Sequence, residues 1–143
     1  MTALRVVFDT SVLLAAVRTS NRRSASCVLI NMVGTGDVRA IVSAPIAEEY
    51  LRKAADPEVR AASIVPDPVR FALDLITVAE EVEPVEVRAV RQDPTDDVYL
   101  GTALGGRAGY IVTFDRAHLL VLDPFRGVRI VLPGTMLELL REG

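Results

Sequence analysis

Short, apolar, β-branched runs alternate along the chain with longer segments whose apolar residues recur at helical spacing. The first run, residues 4–8, is too continuously apolar for a strand with one face in water, so it is predicted to be a central strand that ends at Asp9. Strands that alternate with helices form parallel sheets covered by helices. The pattern therefore predicts an α/β fold, a three-layer α/β/α arrangement around a parallel sheet of four to five strands. The predicted strands are 4–8, 38–43, 110–113 and 128–132, with a short edge strand at 82–85 that Pro84 confines to the edge.

Capping residues, glycines and prolines set the predicted helix boundaries. Thr10 or Ser11 can cap a first helix that runs to Val17, and Ser24 can cap a second that reaches 32 or 33 and stops at Gly34. Three prolines interrupt the pattern between 56 and 68. Further helices are predicted from Pro45, from about 69, from about 96 to 105 after a turn at 91–97, at 118–122 as a short helix or turn, and from Pro133 onward.

Size and composition agree with one domain over 1–143. A length of 143 residues is usual for a single domain, and 50% hydrophobic residues can bury a sizeable core. No apolar run approaches the ~18 residues that a membrane span needs, so we expect a cytoplasmic chain. One cysteine, Cys27, and one histidine, His118, exclude a disulfide framework, a thiolate zinc cluster and a multi-histidine metal site. We therefore expect any metal to be held by oxygen, with Cys27 in the core and His118 packed or at the surface.

The charge is mildly acidic, at −3, and the basic residues are arginines apart from Lys53. A protein that binds nucleic acid over its whole surface is expected to be strongly basic, so the total argues against that class. Arginine nevertheless suits phosphate, and a local patch remains compatible with the total.

Acidic side chains stand near the carboxyl ends of several predicted strands. Asp9 ends the first strand and Asp115 follows the third core strand, while Glu49 lies early in the helix after the second. Asp96 and Asp97 begin the helix that leads into the third core strand. Because the carboxyl ends of parallel strands meet at one edge, these acids are expected to converge there. Carboxylates this close repel one another, and hard divalent cations such as Mg²⁺ or Mn²⁺ are the natural partners.

Five segments, in order along nearly the whole chain, resemble a PIN domain, the fold of the VapC-type toxin ribonucleases. The resemblance is greatest to toxin components of bacterial toxin–antitoxin systems. It implies an endoribonuclease that depends on Mg²⁺ or Mn²⁺, forms a homodimer and is held silent by an antitoxin protein. The segments are VFDTSVLLAAV at 7–17, VSAPIAEEYL at 42–51, RQDPTDDVYLGTALGG at 91–106, YIVTFDRAHLL at 110–120 and FRGVRIVLPGTMLELL at 125–140.

The resemblance also implies the site residues. Asp9, Glu49, Asp96 and Asp115 match the family's four catalytic, metal-binding acids, with Glu48 competing with Glu49 and with Asp97 as a further ligand or an alternative to Asp96. The family often has Asn two residues after its first Asp, where this chain has Ser11, whose reach to a carboxylate or metal water is shorter. Thr113 matches a hydroxyl position that can orient a ligand. Candidate RNA-binding residues at the rim are Arg18, Arg22, Arg23 and Arg116.

Each acid has an ordinary structural alternative. Asp9 and Asp96 could cap helices, Glu49 could pair with Lys53 and Glu48 with Arg52, and Asp115 could be a turn residue. Two other functions also stay open at this point. One is a PIN-like scaffold that binds a partner without cutting, and the other is a phosphohydrolase for small substrates.

The first two predicted helices support a dimer by a separate argument. Leu13, Val17, Val28 and Met32 recur at helical spacing, more apolar surface than one sheet face is expected to cover. A twofold interface would bury the remainder.

Overall fold

A five-stranded sheet, flanked by helices, organises the chain. The computed structural model of the protein describes residues 3–88 and 94–142. Every strand pair is parallel, which confirms the predicted α/β class, and the strand order is β3-β2-β1-β4-β5. The strands are β1 Leu4–Phe8, β2 Val38–Val42, β3 Glu80–Glu81, β4 Tyr110–Val112 and β5 Arg129–Val131.

Seven α-helices connect or follow these strands in the described residues, with one short 3-10 helix at Leu120–Leu122. No helix among them is both long and apolar enough to cross a membrane. Residues 91–93, part of the predicted turn, lie outside the described residues. The α-helices are α1 Thr10–Arg18, α2 Ala25–Thr35, α3 Ala44–Ala54, α4 Pro57–Ala62, α5 Pro68–Val78, α6 Pro94–Gly105 and α7 Pro133–Glu142.

The central strand is buried because its neighbours are strands and its faces meet helices. Val6, Val7 and Phe8 have 1% or less of their surface exposed and belong to the main core cluster. A strand in this position has no solvated face, which explains its unbroken apolar sequence. Cys27 lies in a small adjoining cluster with Ala16, as a small core residue is expected to do.

Three predicted boundaries were wrong. Helix α2 passes through Gly34 and ends at Gly36, which has a φ of 87°, a conformation that glycine adopts without a Cβ clash. Pro57 does not interrupt the chain but stands in the first turn of α4, where its missing N–H costs nothing, and Asp56 caps that helix. Helix α6 begins at Pro94 rather than near Asp96, again with a proline at the start.

The edge strand is at Glu80–Glu81, not at 82–85. Its residues pair with Ile41 and Val42 of β2, and Val82 N–H still donates to the Val42 carbonyl oxygen at 2.8 Å. The chain then leaves the sheet and passes over α6, where Val85 N–H donates to the Gly101 carbonyl oxygen at 2.9 Å. The apolar residues Val82 and Val85, which suggested an edge strand, thus belong to a segment that packs against α6.

Two glycines of α6 make the close passage of this segment possible. A Cβ at Gly101 would overlap the carbonyl oxygen of Val85, and a Cβ at Gly105 would overlap that of Glu83. Helix α6 therefore packs backbone to backbone against residues 83–85. This contact fixes the position of the helix whose first turn carries Asp96 and Asp97.

Much of the apolar surface predicted to form a dimer interface is buried within one chain. Leu13 and Val17 are 0% and 1% exposed, and Val28 and Met32 are partly buried against the core. The predicted exposure was wrong for Leu13 and Val17, because α1 packs against α2, α3, α4 and α5 as well as the sheet. The dimer thus loses its argument from surface composition and keeps only the one from resemblance.

Candidate active site

The candidate site lies at the carboxyl edge of the sheet, between β1 and β4. From β1 the chain builds β2 and β3 on one side, whereas β4 and β5 lie on the other, so this gap is the switch point of the sheet. Asp9 follows β1 directly, and its N–H donates to the Val112 carbonyl oxygen at the end of β4 at 2.9 Å. Asp115 stands three residues beyond β4. The topology alone thus brings these two acids to one crevice.

Two hydroxyls hold the Asp9 carboxylate. Ser11 Oγ and Thr113 Oγ1 each donate to Asp9 Oδ2 at 2.7 Å. Ser11 Oγ also accepts from Phe114 N–H at 3.2 Å, and Thr113 Oγ1 accepts from Asp115 N–H at 2.9 Å. Serine therefore reaches the carboxylate despite its short side chain. Asp9 occupies the N-cap position of α1, but its carboxylate accepts no capping hydrogen bond, which argues against capping as the role of this side chain.

The ionised form of the Asp9 carboxylate is destabilised by its surroundings. Burial raises its pKa above the ordinary value, and the negative charge of Glu49 raises it further, while the hydroxyls of Thr113 and Ser11 act in the opposite direction. A cation bound nearby would therefore stabilise ionised Asp9 in the native state.

Glu49 belongs to a second hydrogen-bonded group built from three helices. Thr10 Oγ1 of α1 donates to Glu49 Oε2 of α3 at 2.8 Å, and Tyr99 of α6 donates its hydroxyl to the same oxygen. The hydroxyls of Thr10 and Tyr99 are themselves 2.6 Å apart, and Thr10 N–H donates to the Tyr99 oxygen at 3.2 Å. Burial, followed by electrostatic interactions with Tyr50, Asp9 and Glu49, raises the pKa of Tyr99, so its hydroxyl stays protonated and donates. Glu49 is thereby held in one orientation.

The two competing glutamates differ in their surroundings. Glu48 is exposed, whereas the Glu49 side chain is 15% exposed and pairs with Arg52 at 3.9 Å. Among the described residues Arg52 pairs with Glu49 rather than with Glu48, so the helix-surface pairs considered from the sequence are not the ones formed. The geometry favours Glu49 as the site residue.

Asp96 and Asp115 come together with His118. One possible ligand atom from each of these three residues lies within 4.8 Å of the others, the only such set among the described acids, cysteine and histidine. Asp96 is buried, Asp115 is partly buried and His118 is exposed. Asp9 and Glu49 lie outside this set, and Asp97, next to Asp96 in the first turn of α6, is partly buried. The donor chemistry, carboxylate oxygens with one imidazole, fits a divalent cation.

A cleft of about 330 Å³ opens beside Glu49 and Tyr99. Its wall combines these polar groups with the apolar surface of α3 and α6 and with Arg52, whose side chain is 68% exposed. A guanidinium next to a carboxylate in a cleft can bind a phosphate, and sequence analysis had considered Arg52 only as an ion-pair partner. The lining residues are Pro45, Ile46, Glu48, Glu49, Arg52, Val98 and Tyr99.

The arginines proposed for the rim are all exposed, but they are not grouped. Arg116 adjoins Asp115, whereas Arg18 ends α1, a nine-residue helix and so about 13 Å from Asp9. Arg22 donates to the Ala16 carbonyl oxygen at 2.8 Å, and Arg23 stands in the same loop. The structure thus brings Arg116 close to the acids and leaves the other three at the far end of α1.

Sequence reasoning missed Thr10, Tyr99 and the position of His118. Thr10 was considered as a cap, and Tyr99 has the appearance of a core residue because it is 1% exposed. The available signal for Tyr99 was its spacing, three residues after Asp96, which places both on one face of α6.

We expect Tyr99→Phe to destabilise the metal-free protein by about 1–2 kcal/mol, because Thr10 and Glu49 lose a buried partner. Thermal melting in chelator measures the change. Tyr110→Phe is the matched control, since Tyr110 lies on β4 outside this group, and it should melt close to the parent. Equal melting temperatures for the two variants would contradict the assigned hydrogen bonds.

Comparison with known proteins gives the family of the chain. A model of the PIN domain family matches residues 5–117, which include all of β1 except Leu4, together with Asp9, Glu49, Asp96, Asp115 and the Thr113 hydroxyl. No curated protein matches the sequence. PIN domains are generally metal-dependent nucleases. Because the match covers most of the chain, from the central strand to the loop after β4, the chain belongs to the PIN domain family.

Proposed function

We propose that this protein is an endoribonuclease that depends on Mg²⁺ or Mn²⁺, cleaves phosphodiesters of single-stranded or loop RNA, and acts as the toxin of a type II toxin–antitoxin system. One observation carries the nuclease part of the proposal. Two acids far apart in sequence meet at the switch point of the sheet, where Thr113 Oγ1 donates to Asp9 Oδ2 and accepts from the Asp115 N–H.

The residues have distinct roles in this proposal. Asp9, Glu49, Asp96 and Asp115 are the catalytic and metal-binding acids, with Asp97 as a further ligand. These acids would hold a divalent cation, which when bound would provide an activated water and charge neutralisation at the phosphate. Ser11 and Thr113 keep the Asp9 carboxylate oriented through Oδ2.

In the proposal, the hydrogen-bonded group of Thr10, Glu49 and Tyr99 orients Glu49 towards the substrate. Thr10 and Tyr99 both bond Oε2 of Glu49, so its orientation does not depend on substrate. The other oxygen, Oε1, is 3.9 Å from Nη2 of Arg52. In the proposal Oε1 is the oxygen available to the cation, and Arg52 binds a phosphate oxygen of the RNA, together with Arg116 beside Asp115 and, farther along the strand, Arg18, Arg22 and Arg23.

Replacing Asp9 by Asn tests the proposal most directly. We expect cleavage of single-stranded and structured RNA in Mg²⁺ or Mn²⁺ to fall at least ~100-fold, because an amide replaces a charged ligand and the oriented group is neutralised. Asp74→Asn is the matched control, an equal chemical change at a carboxylate that is 67% exposed on α5. It should cleave like the parent.

The alternatives give different results in the same preparations. An Asp9→Asn variant as active as the parent contradicts the proposal. A parent that neither cleaves RNA nor takes up metal in calorimetry favours the scaffold, and turnover of a generic phosphate ester without RNA cleavage favours the phosphohydrolase.

The cognate antitoxin and the homodimer belong to the proposal through the resemblance to toxin components. Light scattering of the purified chain tests the dimer, and a mass near 15.5 kDa would contradict it.

A further inference from the structure

His118 stands where an additional metal ligand would stand. Its Nδ1 atom is 3.4 Å from Oδ1 of Asp115, and its side chain is 44% exposed. Its ligand atom, with one from Asp115 and one from Asp96, falls within a 4.8 Å limit for every pair. Two ligand atoms at about 2.1 Å from an ion are about 3.0 Å apart when adjacent and about 4.2 Å apart when opposite. The 4.8 Å limit exceeds the larger of these separations by about 0.6 Å, so small side-chain movements would let one octahedral ion reach all three atoms.

The backbone of the same turn holds His118 in place. His118 N–H and Ala117 N–H donate to Asp115 Oδ1 at 3.0 Å and 3.1 Å. Leu120 N–H donates to the Asp115 carbonyl oxygen at 3.0 Å, and Leu119, the next residue, is fully buried. A buried anchor directly after an exposed histidine limits how far the imidazole can move away from Asp115.

We propose that His118 is a nitrogen ligand of the metal site and makes this chain prefer Mn²⁺ over Mg²⁺. This inference rests on the proposed function for the presence of a catalytic metal. His118 would add a nitrogen ligand to the carboxylates and would favour Mn²⁺ over Mg²⁺.

The preference follows from ligand chemistry. Mg²⁺ binds oxygen and keeps several waters, so an imidazole adds little to its affinity. Transition ions bind imidazole better than Mg²⁺ does, and Mn²⁺ begins that series. A site of carboxylates alone would discriminate less between the two ions.

The test uses the fact that His118 is the sole histidine of the chain, so the protein is prepared without a histidine tag. Pulsed electron paramagnetic resonance of bound Mn²⁺ detects the nitrogen of a coordinated imidazole. We expect that nitrogen signal in the parent and its loss in His118→Ala. Calorimetry should show Mn²⁺ affinity falling at least ~10-fold in His118→Ala, with Mg²⁺ affinity changing less than ~3-fold.

Val121→Ala is the control, since Val121 is exposed in the same segment and offers no ligand atom. It should keep both the nitrogen signal and the ion preference. Bound Mn²⁺ without a nitrogen signal, and with an unchanged ion preference in His118→Ala, would overturn the inference and show an ordinary ion pair with Asp115. That result leaves the nuclease proposal intact.

Other outcomes separate the two proposals further. A nitrogen signal in a protein that cleaves no RNA supports the ligand and contradicts the proposed function. Failure to bind either ion contradicts both.

Discussion

Millimolar Mn²⁺ should raise the melting temperature of the protein by about 5–10 °C, and Asp9→Asn should lose at least half of that rise. A ligand that binds only the native state stabilises it by about 2.7 kcal/mol at 100 times its dissociation constant, which corresponds to this shift for a chain of this length. The reason for a strong response lies in Asp9, which is buried, near the charge of Glu49, and has a raised pKa for both reasons.

The same variant should melt higher than the parent when chelator is present. Ionised Asp9 is destabilised in the native state but is solvated in the unfolded chain. Removing its charge therefore increases the free energy of unfolding. An asparagine oxygen can still accept from Ser11 and Thr113, which preserves the local structure. Asp74→Asn should change neither the melting temperature in chelator nor the gain from Mn²⁺. If Mn²⁺ leaves the melting temperature of the parent unchanged, both the metal site and the catalytic assignment are contradicted.

Gly101→Ala should destabilise the protein by about 2–4 kcal/mol, because the added methyl overlaps a backbone oxygen that no rotamer change can move. That oxygen belongs to Val85, whose N–H in turn bonds the carbonyl of Gly101. Relief requires α6 to separate from residues 83–85, and Asp96 moves with α6. We therefore expect weaker Mn²⁺ binding along with the lower stability.

Gly34→Ala provides a control of opposite sign. Gly34 lies inside α2, and a Cβ there has no neighbour within 4 Å. Alanine in that position should stabilise the protein by about 0.5–1 kcal/mol. Chemical denaturation measures both variants, and a Gly101→Ala protein as stable as Gly34→Ala would show that α6 does not pack as described.

The sheet could be predicted from sequence because burial on both faces leaves a simple signal. Residues 4–8 have no polar face to confuse the pattern, and Asp9 marks the strand end. Features that depend on distant contacts could not be predicted this way. The sequence of 82–85 resembles that of an edge strand, because an extended segment that packs on a helix also has about half of its residues apolar.

The candidate site shows the same division. The positions of Asp9 and Asp115 follow from the carboxyl-edge rule for parallel sheets. The bond from Tyr99 to Glu49 joins two helices that are 50 residues apart in sequence, and nothing local distinguishes Tyr99 from a core tyrosine. The complete burial of Leu13 on α1 depended in the same way on which helices pack around α1.

The bond between Tyr99 and Glu49 also has an optical consequence. The chain has no tryptophan and three tyrosines, so its intrinsic fluorescence comes from tyrosine alone. Of these, Tyr50 is fully buried and donates to the backbone of Phe8, and Tyr110 lies on β4, which leaves Tyr99 as the fluorophore bonded to a site carboxylate. Tyrosine emission is quenched by a carboxylate acceptor, so a change in charge at Glu49 alters the emission of the unlabelled protein. The site thus contains its own spectroscopic reporter, and binding that changes the charge at Glu49 can be followed without a dye.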